Sequence, residues 1–164
     1  MVKLALFEPK IPQNTGNIAR LCVGLDIPLA LVGKTGFSLN DKYLKRAGLD
    51  YWEHLKLEIY GSFDDFKEKH QENRILFATT KGTNPYFKIE YRKNDILMFG
   101  SETTGIPESI LRQNRDDTIT IPMTGKVRSI NLSNSAAIVL YHALFSMGYF
   151  EDFSVNSLYA DYFS

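Results

Sequence analysis

The chain has 164 residues, 44% hydrophobic and 13% aromatic, with 19 Lys and Arg balanced by 19 Asp and Glu. Such a composition can bury a real core, and a net charge of zero excludes a polybasic nucleic-acid binder, so any RNA contact must come from local patches. Met1 to Lys10 is too short an apolar stretch for a signal peptide and no run approaches the ~18 apolar residues of a membrane helix, which reads as a cytoplasmic protein. Cys22 stands alone and His54, His70 and His142 lie far apart. Neither a disulfide nor a metal site is expected from that spacing.

In chain order, Val2 to Phe7 is a buried-strand candidate, with Pro9 and Pro12 as breakers before a helix from about Asn17 to Leu25. Leu29 to Val32 is the next strand, ended by Gly33 and Gly36. Asp41 to Ala47 reads as a short charged helix and Leu55 to Tyr60 as a strand. Ser62 with Asp65 forms a capping-box-like start for a helix over Phe63 to Gln71. Arg74 to Ala78, Ile96 to Phe99 and Thr118 to Ile121 are further strands, with a short helix at Pro107 to Arg112. In the last helix Ala136, Val139, Leu140, Ala143, Leu144 and Met147 share one face, and Gly148 ends it. The alternation predicts an α/β fold with a mostly parallel sheet flanked by helices, one domain over 1–150 and a polar-aromatic tail over 151–164.

Two motifs are decoys. Gly33-Lys34-Thr35 has the end of a phosphate-binding loop, but Pro28 stands where its first glycine belongs. Gly100-Ser101-Glu102 lacks the paired glycines of a nucleophile elbow, so a serine hydrolase is not expected. No Gly-x-Gly-x-x-Gly follows the first strand, which removes the ordinary dinucleotide fingerprint.

Three polar blocks remain, each after a strand: Asn14-Thr-Gly-Asn17 leading to Arg20, Phe99-Gly-Ser-Glu102, and Ile121-Pro-Met123 running on to Arg128-Ser-Ile-Asn-Leu-Ser-Asn134. Burial alone does not call for Asn, Ser, Glu and Gly clustered at strand ends. Together with Glu8-Pro9, Arg46-Ala-Gly-Leu-Asp-Tyr51 and Thr79-Thr-Lys-Gly82, these blocks resemble the SPOUT superfamily of RNA methyltransferases, and within it the small tRNA wobble-position 2′-O-methyltransferases of the TrmL (YibK) type. The resemblance runs over about residues 2–150. It implies a C-terminal deep trefoil knot, a topology that general rules would bet against.

The resemblance also implies S-adenosylmethionine as cofactor, held by loop backbone. Ala78, Gly100, Ile121 and Ser129 match its contact positions, with Thr79, Glu102, Met123, Asn131 and Leu132 close by. Gly100 suits a backbone that approaches a ligand and tolerates little Cβ bulk; its alternative is a turn after a strand. Asn14, Arg20, Glu102, Ser129 and Asn131 are the candidate catalytic residues. Asn14 could equally be a helix cap, and Arg20 a surface arginine. A guanidinium stays protonated, so Arg20 is read as orienting a substrate phosphate, and that phosphate, a water or Ser129 takes the hydroxyl proton. Asn131 would orient the ribose, and Glu102 would fix Arg20 or nearby loop amides.

RNA contact is expected from Lys3, Lys10, Arg20, Lys81, Arg128 and Arg46 on one basic surface. The family pairs two subunits, which makes Tyr141, His142 and the apolar face of the last helix candidates for a homodimer interface, though that face is equally what any core helix would show. Ser101 departs from relatives that often carry proline there, which would loosen its loop. The implied activity is 2′-O-methylation of tRNA nucleotide 34, cytidine or modified uridine. The alternatives are the same chemistry at another tRNA or rRNA position and a catalytically silent RNA-binding module.

Overall fold

The computed structural model describes residues 1–38 and 51–151. The helix expected over Asp41 to Ala47, with Arg46 in it, and the tail from residue 152 onward lie outside the described residues. In chain order the elements are β1 (Lys3–Phe7), α1 (Pro12–Gly24), β2 (Leu29–Val32), β3 (Leu57–Tyr60), α2 (Phe63–Lys69), β4 (Ile75–Ala78), β5 (Asn84–Pro85), β6 (Ile96–Phe99), α3 (Glu108–Gln113), β7 (Thr118–Thr120) and α4 (Leu132–Ser146).

Continuous apolar runs mark strands that are covered on both faces. Leu-Ala-Leu-Val in β2 and Ile-Leu-Met-Phe in β6 are such runs, and every residue of both is buried. The strands form one seven-stranded, all-parallel sheet in the order β3-β2-β1-β6-β4-β7-β5. Side chains alternate between its faces. Leu4, Leu6, Leu29, Leu31, Leu97 and Phe99 join the core under α1 and α4, while Ala5, Phe7, Ala30, Val32 and Met98 pack with Phe66 of α2 on the other side.

Two helices begin earlier than the sequence suggests. α1 starts at Pro12, so this proline opens the helix rather than breaking the chain before it. Its fixed φ suits the first helical position, and the N–H it lacks would have had no helical partner there. α4 starts at Leu132, capped by Asn131, and ends before Gly148 at φ 71°. Its inner face is the expected one, with Ala136, Val139, Leu140 and Ala143 all at 0% exposure. β5, a two-residue strand beside β7, carries no apolar run and was not expected.

Because all strands run the same way, the loops after β1, β4, β6 and β7 leave the same edge of the sheet. Ligands of parallel α/β sheets bind at that edge, where the strand order changes direction. Here β1 lies between β2, its neighbour in sequence, and β6, with Leu6 registered against Leu31 on one side and Phe99 on the other.

Candidate active site

The N-terminus of α1 has no side-chain cap of its own, because the residue at the capping position is Ile11. Glu102, in the loop after β6, takes its place from a distant part of the chain. Its carboxylate accepts the backbone N–H of Lys10 at 2.8 Å and of Ile11 at 3.3 Å. A carboxylate at a helix N-terminus also lies favourably in the helix dipole. Glu102 thus fixes loop amides, and its described partners do not include Arg20.

The same carboxylate anchors Asn14, which is only 6% exposed. Asn14 donates through Nδ2 to Glu102 Oε1 at 2.9 Å and accepts at Oδ1 from Asn131 Nδ2 at 3.0 Å. Its amide orientation follows from having an obligate acceptor on one side. Asn131 Oδ1 in turn accepts from Ser133 N at 2.9 Å and Ser133 Oγ at 2.7 Å, closing the first turn of α4. One polar chain, Glu102 to Asn14 to Asn131, therefore ties the first helix, the β6 loop and the last helix together. Asn14 lies inside α1, so the capping alternative for it does not apply.

A cleft of about 620 Å³ opens beside this chain. Ala78 at the end of β4 and Thr79 after it, Gly100 and Glu102 after β6, Ile121, Met123, Ser129 and Asn131 between β7 and α4, and Leu132 at the start of α4 all line it, together with Asn14, Lys81 and Arg128. The structure brings every expected cofactor position to one wall system. It adds Thr80, Thr103, Thr104, Glu108 and Ser135, which the sequence reading left without a role. Thr80 lies within the block Thr79-Thr-Lys-Gly82, and Thr103 and Thr104 follow Glu102 directly, so their hydroxyls were the available signal.

At Gly100 the structure supplies the turn alternative. A Cβ there would lie 2.3 Å from the Gly105 carbonyl carbon and 2.4 Å from Ile106 N, so the glycine lets its own loop fold back. That loop closes through Gly105 N donating to Ser101 O at 2.8 Å, with Gly105 at φ 68° and Ser101 buried. This fold-back is enough by itself to exclude a side chain at this position.

The expected basic surface divides. Lys81 and Arg128 are exposed at the cleft. Arg20 is exposed on α1, outside the cleft lining, with its guanidinium carbon 5.1 Å from the ring centre of Tyr51. Lys10 Nζ is held by Glu8 at 3.2 Å and by the Lys34 carbonyl at 3.1 Å. Lys3 does not join them. It opens β1, at the sheet edge opposite the cleft, and its ammonium sits 2.6 Å from Glu58 with only 14% of the side chain exposed. Strand direction, invisible in sequence spacing, separates it from the other cations.

Of the two readings of the apolar face of α4, the core one holds. Ala136, Val139, Leu140, Ala143 and Leu144 pack inside this same chain, so they are not free for a partner. His142 is turned inward against Tyr86 and Tyr91, with ring centres at 5.1 and 5.9 Å. Ile138, Tyr141 and Phe145 are the apolar residues that α4 exposes, at 36%, 49% and 74%. Among the described residues no helix is long and apolar enough to cross a membrane, and no group of three or more His, Cys, Asp or Glu could hold a metal.

Comparison with known proteins agrees with this geometry. Residues 1–141 match the model of the SpoU rRNA Methylase family. The tRNA (cytidine(34)-2′-O)-methyltransferase of Escherichia coli strain K12 is 42% identical over 150 residues, 91% of this chain and 96% of its own length. A solved structure described by the 2-OH methylation of C/U34 on tRNA superposes with a TM-score of 0.85 at 39% identity, covering 90% of this chain and 96% of that one. The SpoU methyltransferase AviRb from Streptomyces viridochromogenes, solved with the cofactor AdoMet, shares the fold at a TM-score of 0.79 and 22% identity, over 90% of this chain and 57% of its own. The resemblance carried by the three polar blocks is borne out.

Proposed function

Because this chain belongs to the SpoU rRNA methylase family, we propose that it is an S-adenosylmethionine-dependent enzyme that methylates the ribose 2′-hydroxyl of tRNA nucleotide 34, cytidine or modified uridine. The observation that carries this reading is the convergence of four loops on one cleft braced by Glu102, Asn14 and Asn131, in a chain that spans 96% of the E. coli wobble enzyme at 42% identity.

The cleft fits the cofactor. Its volume of about 620 Å³ lies in the range of small-molecule sites. Ile121, Leu132 and Val139 give apolar wall for a nucleoside base, while Thr79, Ser129 and the loop backbone offer polar groups. Ala78, Thr79, Gly100, Ile121, Met123, Ser129 and Leu132 are the residues that would hold it. When bound, S-adenosylmethionine supplies an electrophilic methyl carbon on a sulfonium.

The chain's own part is mainly positioning, which supplies much of the barrier reduction when the reactants must be held in line. Glu102 and Asn14 fix the cleft walls by holding α1 against the β6 loop. Asn131 spends its oxygen on α4 and one N–H on Asn14, which leaves one N–H for a ribose oxygen. Ser129, a water or the substrate phosphate takes the hydroxyl proton. Arg20 stays charged and orients that phosphate, and Lys81 and Arg128 contact the RNA backbone beside it.

The full reading includes one methyltransferase domain over 1–150, a tail over 151–164, and a trefoil knot formed as the chain between β7 and α4 passes the β6 loop. It also includes a cytoplasmic homodimer that pairs through the exposed Ile138, Tyr141 and Phe145. Pairing supports RNA binding, because one copy with zero net charge offers little continuous positive surface. Mapping ribose methylation across total tRNA and rRNA with and without the gene tests the reading. Loss confined to nucleotide 34 is expected; an unchanged nucleotide 34, or loss at another position, overturns the assignment.

A further inference from the structure

We propose that Tyr51 is a positioning residue that aims the Arg20 guanidinium, an inference that rests on Arg20 being the residue that orients the substrate phosphate. Among the described residues Arg20 has no carboxylate partner within ion-pair distance, and the group that faces it is an aromatic ring. Its guanidinium carbon lies 5.1 Å from the Tyr51 ring centre. The ring is itself fixed to α1: the phenol donates to the Gly16 carbonyl at 2.9 Å. Gly16 is four residues before Arg20, so this carbonyl belongs to the helical turn that carries the arginine. The body of the ring packs against the core under α1 and α4.

A stacked ring suits a phosphate-binding arginine better than a carboxylate does. A carboxylate would occupy the N–H fork and neutralise the charge, and an incoming phosphate would have to displace it. The Tyr51 ring and its phenol oxygen hold the cation without neutralising it, so its charge and its remaining N–H groups stay available to a phosphate. This hold also removes much of the rotamer freedom that an exposed arginine would otherwise lose on binding. Burial raises the phenol pKa against the lowering influence of the Arg20 charge and of its hydrogen bond to the phenol, so the hydroxyl that grips Gly16 stays protonated near neutral pH.

The test is a double-mutant cycle of Arg20→Ala and Tyr51→Leu, read by single-turnover methylation of tRNA and by titration with S-adenosylhomocysteine. Tyr51→Leu should slow methylation about two- to fivefold, the scale of an exposed cation–π contact. It should leave product affinity unchanged and add nothing to Arg20→Ala, and Tyr51→Phe should restore most of the loss. A wild-type rate for Tyr51→Leu, or the same loss in the Arg20→Ala background, overturns the proposal, since a merely structural tyrosine would act independently of Arg20. The Arg20→Ala single variant reads the underlying assignment separately: a wild-type rate there removes the phosphate role itself. Should Tyr51→Leu not fold, Tyr51→Met, which fills irregular space, enters the cycle instead with the same expected outcomes.

Discussion

Asn14 donates to Glu102 at 2.9 Å across 88 residues of chain, and that bond makes the start of α1 and the loop after β6 one unit. Among the described residues Glu102 bonds only donors: Lys10 N, Ile11 N and Asn14 Nδ2. Glu102→Gln keeps the shape but points an N–H₂ group at one of them. The variant should lose about 1.5–3 kcal/mol, the scale of a hydrogen bond to a charged group. Urea unfolding should show a lower midpoint at unchanged slope, together with weaker S-adenosylhomocysteine binding.

Asn131 makes two separable contributions, and two substitutions tell them apart. Asn131→Asp keeps the oxygen that caps Ser133 but sets a second acceptor against Asn14 Oδ1, where the present contact is 3.0 Å. Turning the Asn14 amide over gives no relief, because its oxygen would then face Glu102. Asn131→Ala loses the cap as well, which costs about 1 kcal/mol more. Thermal melts should rank wild type above Asp above Ala, while single-turnover methylation should fall in both variants.

Gly100→Ala should be destabilising by about 1–3 kcal/mol, the usual cost of overpacking, because the atoms it meets are backbone and cannot rotate away. S-adenosylhomocysteine binding should fall with it, since the β6 loop is a cleft wall. Calorimetric titration of the variant against wild type measures both the affinity and the fraction of competent protein.

The pH dependence of stability should carry a signature of Glu58. Burial raises the pKa of this carboxyl, but hydrogen bonds from Lys3 and Tyr60 and the Lys3 charge lower it more, so the net direction is down. A folded-state pKa below the unfolded value of about 4.3 contributes stability above that pH and loses it as pH falls through the folded value. The difference in melting temperature between wild type and Glu58→Gln should be full at pH 6 and shrink below about pH 4. Melts from pH 6 to pH 3 provide the check.

Local rules were legible where one stretch contains its own cause. The apolar runs of Leu29 to Val32 and Ile96 to Phe99 gave both strands to the residue, and Ser62 caps α2 by accepting from Asp65 N as the capping pattern implies. The inner face of α4 follows from helical spacing. Features with a distant cause were not legible. No capping side chain precedes Pro12, because the cap is Glu102, so the proline read as a breaker rather than as the first helical residue, and β5 exists only beside β7, where Thr83 N also donates to Thr118 Oγ1 at 3.0 Å. Lys3 looked available for RNA until strand direction placed it beside Glu58. The site was readable because its motifs follow strands; the brace between Asn14, Glu102 and Asn131 needed the fold.

Transfer of labelled methyl from S-adenosylmethionine to a tRNA made with either ribose or 2′-deoxyribose at nucleotide 34 tests the central claim most directly. One methyl per tRNA is expected, mapped to the 2′-oxygen of nucleotide 34, with no transfer to the deoxy substrate although both RNAs bind. Equal labelling of the two tRNAs would contradict it, because the methyl would then be going to some other atom.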